Sequence, residues 1–116
     1  MENKNLILEM SLNFALAIIE YSELLEEKHK FVVAKQLLRS GTSIGANIHE
    51  AQSAESKVDF IHKFKISDKE ACETIYWLKL CQLSKSYPSP PDSLFDDLNS
   101  IKNIISKIII SSKKQQ

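Results

Sequence analysis

Four side chains of metal-binding type, His49, Glu50, Asp59 and His62, fall close together in this 116-residue chain. Asp59 and His62 have the i, i+3 spacing that puts a carboxylate and an imidazole on one helix face. Carboxylate-bridged di-metal bundles use that spacing, but they need two Glu-x-x-His motifs and two further glutamates. Only one loose copy is present, so the expectation is surface histidines among solvated carboxylates, with no metal and no cofactor. Arg39 is the sole arginine. If its helix pairs with the next about a turn near Ala54, its guanidinium fork comes opposite Glu70 and Glu73, and an ion pair inside the bundle is expected. Serine is plentiful, yet no Ser-His-Asp set, nucleophile elbow or glycine-rich phosphate loop can be found. Trp77 sits mid-helix among apolar neighbours, which suits packing better than base stacking. These patterns point away from an enzyme and show no small-molecule substrate.

The elements that hold these residues are helical. Apolar residues recur at helical spacing in four segments, about residues 5–27, 30–53, 57–83 and 90–113. The first carries Ile7, Met10, Phe14, Ala17, Ile18, Tyr21 and Leu25 on one stripe. A second stripe, Leu8, Leu12, Ala15, Leu16 and Ile19, lies roughly opposite. The second segment has Leu37, Gly41, Ile44, Ile48 and Ala51. Beside that apolar row runs a polar one, Ser40, Ser43, Asn47 and Glu50.

Gly41 and Gly45 lie inside this segment, each costing up to about 1 kcal/mol against alanine, so close approach of a neighbouring backbone is expected. The third segment has Phe60, Phe64, Ala71, Ile75 and Leu78, with Ile61, Cys72, Tyr76 and Leu83 placed away from them. Ser56 and Asp59 resemble a capping box before it. The fourth has Leu94, Leu98, Ile101, Ile105 and Ile108, with Ser89 as its cap, Pro90 in its first turn and Asp92 near its positive end. Short loops make sequential helices antiparallel neighbours. The fold class is therefore all-α, an antiparallel up-down-up-down four-helix bundle, as one domain over residues 1–116.

Composition narrows the function. Hydrophobic residues are 43% and charged residues 26%, an ordinary globular balance. Lys+Arg and Asp+Glu are 15 each, so no global field attracts polyanions. A single arginine argues against base-edge readout of duplex DNA. Cys72 and Cys81 point to opposite sides of one helix at about 100° per residue and cannot bridge each other. The N-terminus lacks the pattern of a signal peptide, and Lys102, Ser106 and Lys107 interrupt the isoleucine-rich run too often for a bilayer span. A cytoplasmic protein with no membrane partner is expected. The unpartnered apolar stripes on the first and third segments imply self-association.

Gln36-Leu37-Leu38-Arg39, then Ser43-Ile44-Gly45-Ala46-Asn47-Ile48-His49-Glu50-Ala51, then Lys69-Glu70-Ala71-Cys72-Glu73-Thr74 leading into Tyr76-Trp77-Leu78 resemble a known family. It is the bacterial four-helix bundle proteins named for intervening sequences in 23S rRNA genes. The matching region covers close to half the chain, and the resemblance implies Arg39, Ser43, Asn47, Glu50, Glu70 and Glu73 as a structural motif. The resemblance implies a four-helix bundle, often a homo-oligomer assembled as a five-fold ring, that is a homopentamer. It also implies a poorly defined function. Relatives include accessory proteins of diversity-generating retroelements, which are strongly basic and bind nucleic acid and a reverse transcriptase. No catalytic residues carry over.

Two readings follow: an oligomeric scaffold with RNA or other nucleic acid as partner, or a protein-interaction module with no nucleic-acid role. For the first, up-down-up-down topology puts the N-terminus, the middle turn and the C-terminus at one end. That end holds Lys4, Lys57, Lys63, Lys65, Lys107, Lys113 and Lys114 against Glu2, Glu9, Glu50, Glu55 and Asp59, net positive by two. The opposite end, with eight basic and ten acidic residues, is net negative by two. Lys57, Lys63, Lys113 and Lys114 are the candidate phosphate contacts, without sequence preference and with strong salt sensitivity.

Overall fold

The computed structural model describes residues 2–115, with side chains for residues 6–115. Four helices follow one another: α1 (Glu2–Glu27), α2 (Phe31–Ala51), α3 (Lys57–Leu83) and α4 (Asp92–Lys114). Each packs on its chain neighbours and α4 closes onto α1, giving a ring of four around one core in a molecule measuring 49 × 22 × 19 Å.

Local chemistry sets most of the breaks. α1 ends because His29 takes a left-handed conformation, φ 62°. Its N–H donates to the Glu26 carbonyl (2.9 Å), and the Lys30 N–H reaches back to the Leu25 carbonyl (2.9 Å). This is the Schellman arrangement, in which glycine usually holds the left-handed position. α3 starts at Ser56, whose hydroxyl accepts from the Asp59 N–H at 3.0 Å. The Asp59 carboxylate accepts from the Glu55 N–H at 3.3 Å, one residue before the usual partner.

The start of α4 differs from expectation. Ser89 does not cap it and Pro90 lies outside it; Pro91 occupies the cap position with no side-chain bond, and Asp92 begins the helix. The proline-rich connection is held instead by tertiary contacts. The buried Tyr21 hydroxyl donates to the Pro88 carbonyl at 2.6 Å, and the Lys30 ammonium lies 5.0 Å from the Tyr87 ring centre. Burial, then hydrogen bonding to Cys81, pushes the Tyr21 phenol far above its ordinary pKa.

The core contains Ile7, Phe14, Ile18, Tyr21 and Leu25 from α1, with Leu37, Ile44 and Ile48 from α2. Phe64, Ala71, Leu78 and Cys81 come from α3, and Leu94, Leu98, Ile101, Ile105 and Ile108 from α4. α3 is turned relative to the expected stripe. Ile61, placed by its sequence on the outer face, is buried, whereas Phe60 and Ile75 are half-buried. The reason is that two inward positions are polar. Ser67 donates to the Ile44 carbonyl at 2.8 Å, and the Thr74 and Ser40 hydroxyls lie 3.0 Å apart, so the seam with α2 is stitched by small hydroxyls. Such groups are tolerated inside because they are hydrogen-bonded.

α1 meets α2 at the glycines. A Cβ on Gly41 would fall 2.9 Å from the Ile18 Cγ2, and one on Gly45 would fall 3.3 Å from the backbone carbonyl oxygen of Ser11. The two helices approach closely because α2 contributes no side chain at these positions, leaving the space to Ile18 and Ser11 of α1. Among the described residues, no helix is long and apolar enough to cross a membrane.

Candidate functional site

Arg39, Ser43, Asn47, Glu50, Glu70 and Glu73 lie along one seam where α2 faces α3. Arg39 Nη1 reaches Glu70 at 3.4 Å, Nη2 pairs with Glu73, and Nε donates to the Gln36 amide oxygen at 3.2 Å. Glu73 also accepts from the Trp77 indole N–H at 2.9 Å, which ties the ring to the cluster. The expected pairing is present, but not inside the bundle. The Arg39 side chain is 47% exposed, because its stem leaves α2 beside the core stripe and runs over the surface to α3.

One turn along, the Ser43 hydroxyl donates to the Arg39 carbonyl (2.6 Å) and the Asn47 amide to the Ser43 carbonyl (2.8 Å). Both bonds stay within α2. Glu50 then pairs with Lys63 at 3.0 Å. Thus Arg39, Glu70 and Glu73 satisfy one another across the seam, Ser43 and Asn47 are satisfied by the α2 backbone, and Glu50 by Lys63.

The metal-type residues do not converge. The His49 ring nitrogen Nδ1 meets the Gly45 carbonyl at 2.8 Å, Asp59 faces the α3 cap, and His62 points elsewhere. Among the described residues no three His, Cys, Asp or Glu side chains form a metal-sized cluster.

The start of α3 and the end of α4 share one end of the bundle, and the lysines there differ in their surroundings. α3 and α4 meet there through Lys57, which donates to the Gln115 amide oxygen at 3.0 Å. Lys63 is neutralised by Glu50. Lys114 is exposed, and Lys4 lies outside the residues whose side chains are described. Lys113 lines a cleft of about 380 Å³ with Val58, Ile61, His62 and Lys65. Lys65, which the sequence offers only as one charge of the basic end, and His62, which it offers as a metal-type side chain, therefore face this space. Their meeting with Lys113 depends on the α3–α4 register, which no local spacing encodes.

Further along the same helix pair, the Lys102 ammonium lies 2.7 Å from Asp68 and 3.1 Å from the Cys72 sulfur. Burial acts to lower its pKa, but the bonds to Asp68 and Cys72 outweigh that and hold it above the ordinary lysine value.

Exposed large apolar side chains occur on every helix, and on α1 they form a row. Leu12, Leu16 and Ile19 are 54%, 55% and 38% exposed although each is a large aliphatic. The contacts of Ile18 with Gly41 and Ser11 with Gly45 set the α1–α2 register. Leu8 and Ala15, assigned to the same outer stripe, are half-buried. On α3, Cys72, Tyr76 and Leu83 are exposed as expected.

The family described as 23S rRNA-intervening sequence protein matches residues 3–110. A crystal structure from Bacteroides thetaiotaomicron VPI-5482, of a protein with unknown function from the S23 ribosomal protein family, is similar over almost its whole length. It is 43% identical with a TM-score of 0.86, covering 92% of this chain and 97% of that one. No curated protein matches the chain.

Proposed function

This chain belongs to the 23S rRNA-intervening sequence protein family, and from that premise we propose that it is a non-enzymatic, cytoplasmic scaffold that works as a homo-oligomer. Its basic end engages RNA or other nucleic acid through phosphates, without sequence preference. The observation that carries the scaffold reading is the aliphatic stripe Leu12, Leu16 and Ile19, left uncovered after the core is complete. Aliphatic groups in a continuous row on a small bundle favour burial against another copy. Family resemblance supplies the copy number of five. A parallel ring would repeat the basic end around one rim, so a neutral chain could still present a cationic surface.

Sedimentation at micromolar concentration tests the assembly: a Leu12→Glu/Leu16→Glu variant should become monomeric. A monomeric parent removes the scaffold reading. For nucleic acid, a Lys57/Lys113/Lys114→Glu triple variant is compared with the parent in RNA binding at low salt. Loss of binding in the variant, and a steep fall with salt in the parent, is expected. Equal binding by the two refutes this location. The equal counts of acidic and basic residues, 15 each, favour a second reading, a protein-interaction module. Absence of RNA binding by the parent selects it.

A further inference from the structure

The lysines near the basic end fall into two groups. Lys57 and Lys63 each have a side-chain partner, an amide and a carboxylate respectively. Lys65 and Lys113 have no carboxylate within ion-pair distance among the described residues. They come from different helices, α3 and α4, to line one cleft together with His62. Among the described residues no acidic side chain lines that cleft. The nearest acids along the chain are engaged elsewhere: Asp59, next to Val58, accepts from the Glu55 N–H at the α3 cap, and Asp68, three residues after Lys65, pairs with Lys102. Its apolar lining is Val58 and Ile61; Val58 is 69% exposed, a branched aliphatic left facing water beside three nitrogen cations or potential cations.

The geometry points to a binding site for a phosphomonoester with a flat apolar body, of the size and chemistry of a nucleoside monophosphate. The phosphate sits between the Lys65 and Lys113 ammoniums, which act as point charges that gain strength from the opposite charge they lack. The body covers Val58 and Ile61, with the His62 ring alongside. The volume of about 380 Å³ lies in the range of about 300–1,000 Å³ typical of small-molecule sites. Like charges from two helices facing one apolar-lined space repel each other when it is empty, and a dianion relieves that repulsion. Such a unit has two sources, a free mononucleotide or the 5′-phosphorylated end of an RNA strand. The RNA source rests on the nucleic-acid reading above; the mononucleotide source does not.

The test uses the full-length, isotope-labelled protein and follows backbone amide and His62 ring signals by NMR. The probes are adenosine monophosphate, adenosine, and one short single-stranded RNA with a 5′ phosphate or a 5′ hydroxyl. Saturable shifts at Val58, Ile61, His62, Lys65 and Lys113 are expected with the monophosphate. Adenosine should bind at least about tenfold more weakly, as should the monophosphate to Lys65→Gln or Lys113→Gln, the loss of one charge-assisted bond. Lys63→Gln, whose side chain is already paired with Glu50, should bind as the parent does.

A 5′-phosphate advantage of similar size in RNA identifies a strand end as the source. Monophosphate binding without that advantage identifies the free nucleotide. If RNA binds regardless of its 5′ group and the monophosphate leaves the cleft signals unmoved, the cleft proposal is overturned while the nucleic-acid reading stands. If no probe binds, both fall. Equal binding of adenosine and its monophosphate also overturns the phosphate assignment.

Discussion

Replacing Gly41 with alanine tests the account of the α1–α2 contact most directly. The added Cβ would lie 2.9 Å from Ile18 Cγ2, 3.0 Å from Cγ1 and 3.3 Å from Cβ, where relaxed carbon contacts need about 3.5–4.0 Å. Ile18 is completely buried and, being β-branched in a helix, has essentially one side-chain rotamer. It cannot swing away, so α1 must move outward or the side chain must leave its well, at about 1–3 kcal/mol for overpacking. Alanine returns about 1 kcal/mol of helix propensity. The net expectation is destabilisation of about 1 kcal/mol, a drop of roughly 4 °C in melting temperature for a domain of this size.

Urea unfolding at fixed protein concentration reads the change as a shift in midpoint at constant slope. The control is the same substitution in an Ile18→Ala background. There the obstruction is gone and Gly41→Ala should stabilise by about 1 kcal/mol. Equal destabilisation in both backgrounds, or a parent variant that melts higher than the parent, would refute the packing argument. Gly41→Leu should be worse than alanine in either case, because its larger side chain must also find room.

His29→Gly should raise stability by about 1 kcal/mol in thermal melts, since glycine takes φ 62° without the steric cost a Cβ brings. Ser22→Ala should be neutral or stabilising by urea unfolding, because the Ser22 hydroxyl is buried without a hydrogen-bond partner among the described residues. The raised pKa values of Tyr21 and Lys102 give stability that is present below their unfolded values, about 10.0 and 10.4. It is lost as pH rises from there towards the folded values. Tyr21→Phe should remove the tyrosine part of that alkaline loss in a pH series, while costing about 1 kcal/mol at neutral pH for the bond to Pro88. Arg39→Met should cost under about 1 kcal/mol at neutral pH, because the side chain is half in water; a larger loss in double-mutant cycles with Glu73→Gln would show that the cluster acts as one unit.

The helices were legible in the sequence because the period of their apolar residues is carried by the residues themselves. α1 and α4 follow their aliphatic stripes closely. α3 was harder, since Ser67 and Thr74 occupy inward positions and Phe60 competes with Ile61 for the core; hydropathy alone chooses the aromatic. Only the α2 partners, the Ile44 carbonyl and the Ser40 hydroxyl, decide the rotation. Ser89 met the local rule for a cap, but the Tyr21 bond fixes Pro88 and carries the chain past it. The partners of Arg39 could be named from antiparallel pairing, whereas its exposure could not, because that depends on where α3 lies across the surface. The cleft of Lys65 and Lys113 was illegible for the same reason: its residues are far apart in the chain and meet only through the final α3–α4 register.

The hydroxyl stitching between α2 and α3 also has a kinetic consequence. These helices are joined by a short turn, and their cross-links, Ser40 with Thr74, Ser67 with the Ile44 carbonyl and Glu50 with Lys63, span modest sequence distances. Closing such loops loses less chain entropy than bringing α4 back to α1, so this hairpin is the economical place for folding to nucleate. α4, tethered through the proline-rich connection, would then dock late. Substitutions in its apolar stripe, such as Ile105→Val, should speed unfolding and leave the folding rate near that of the parent, whereas Thr74→Val should slow folding.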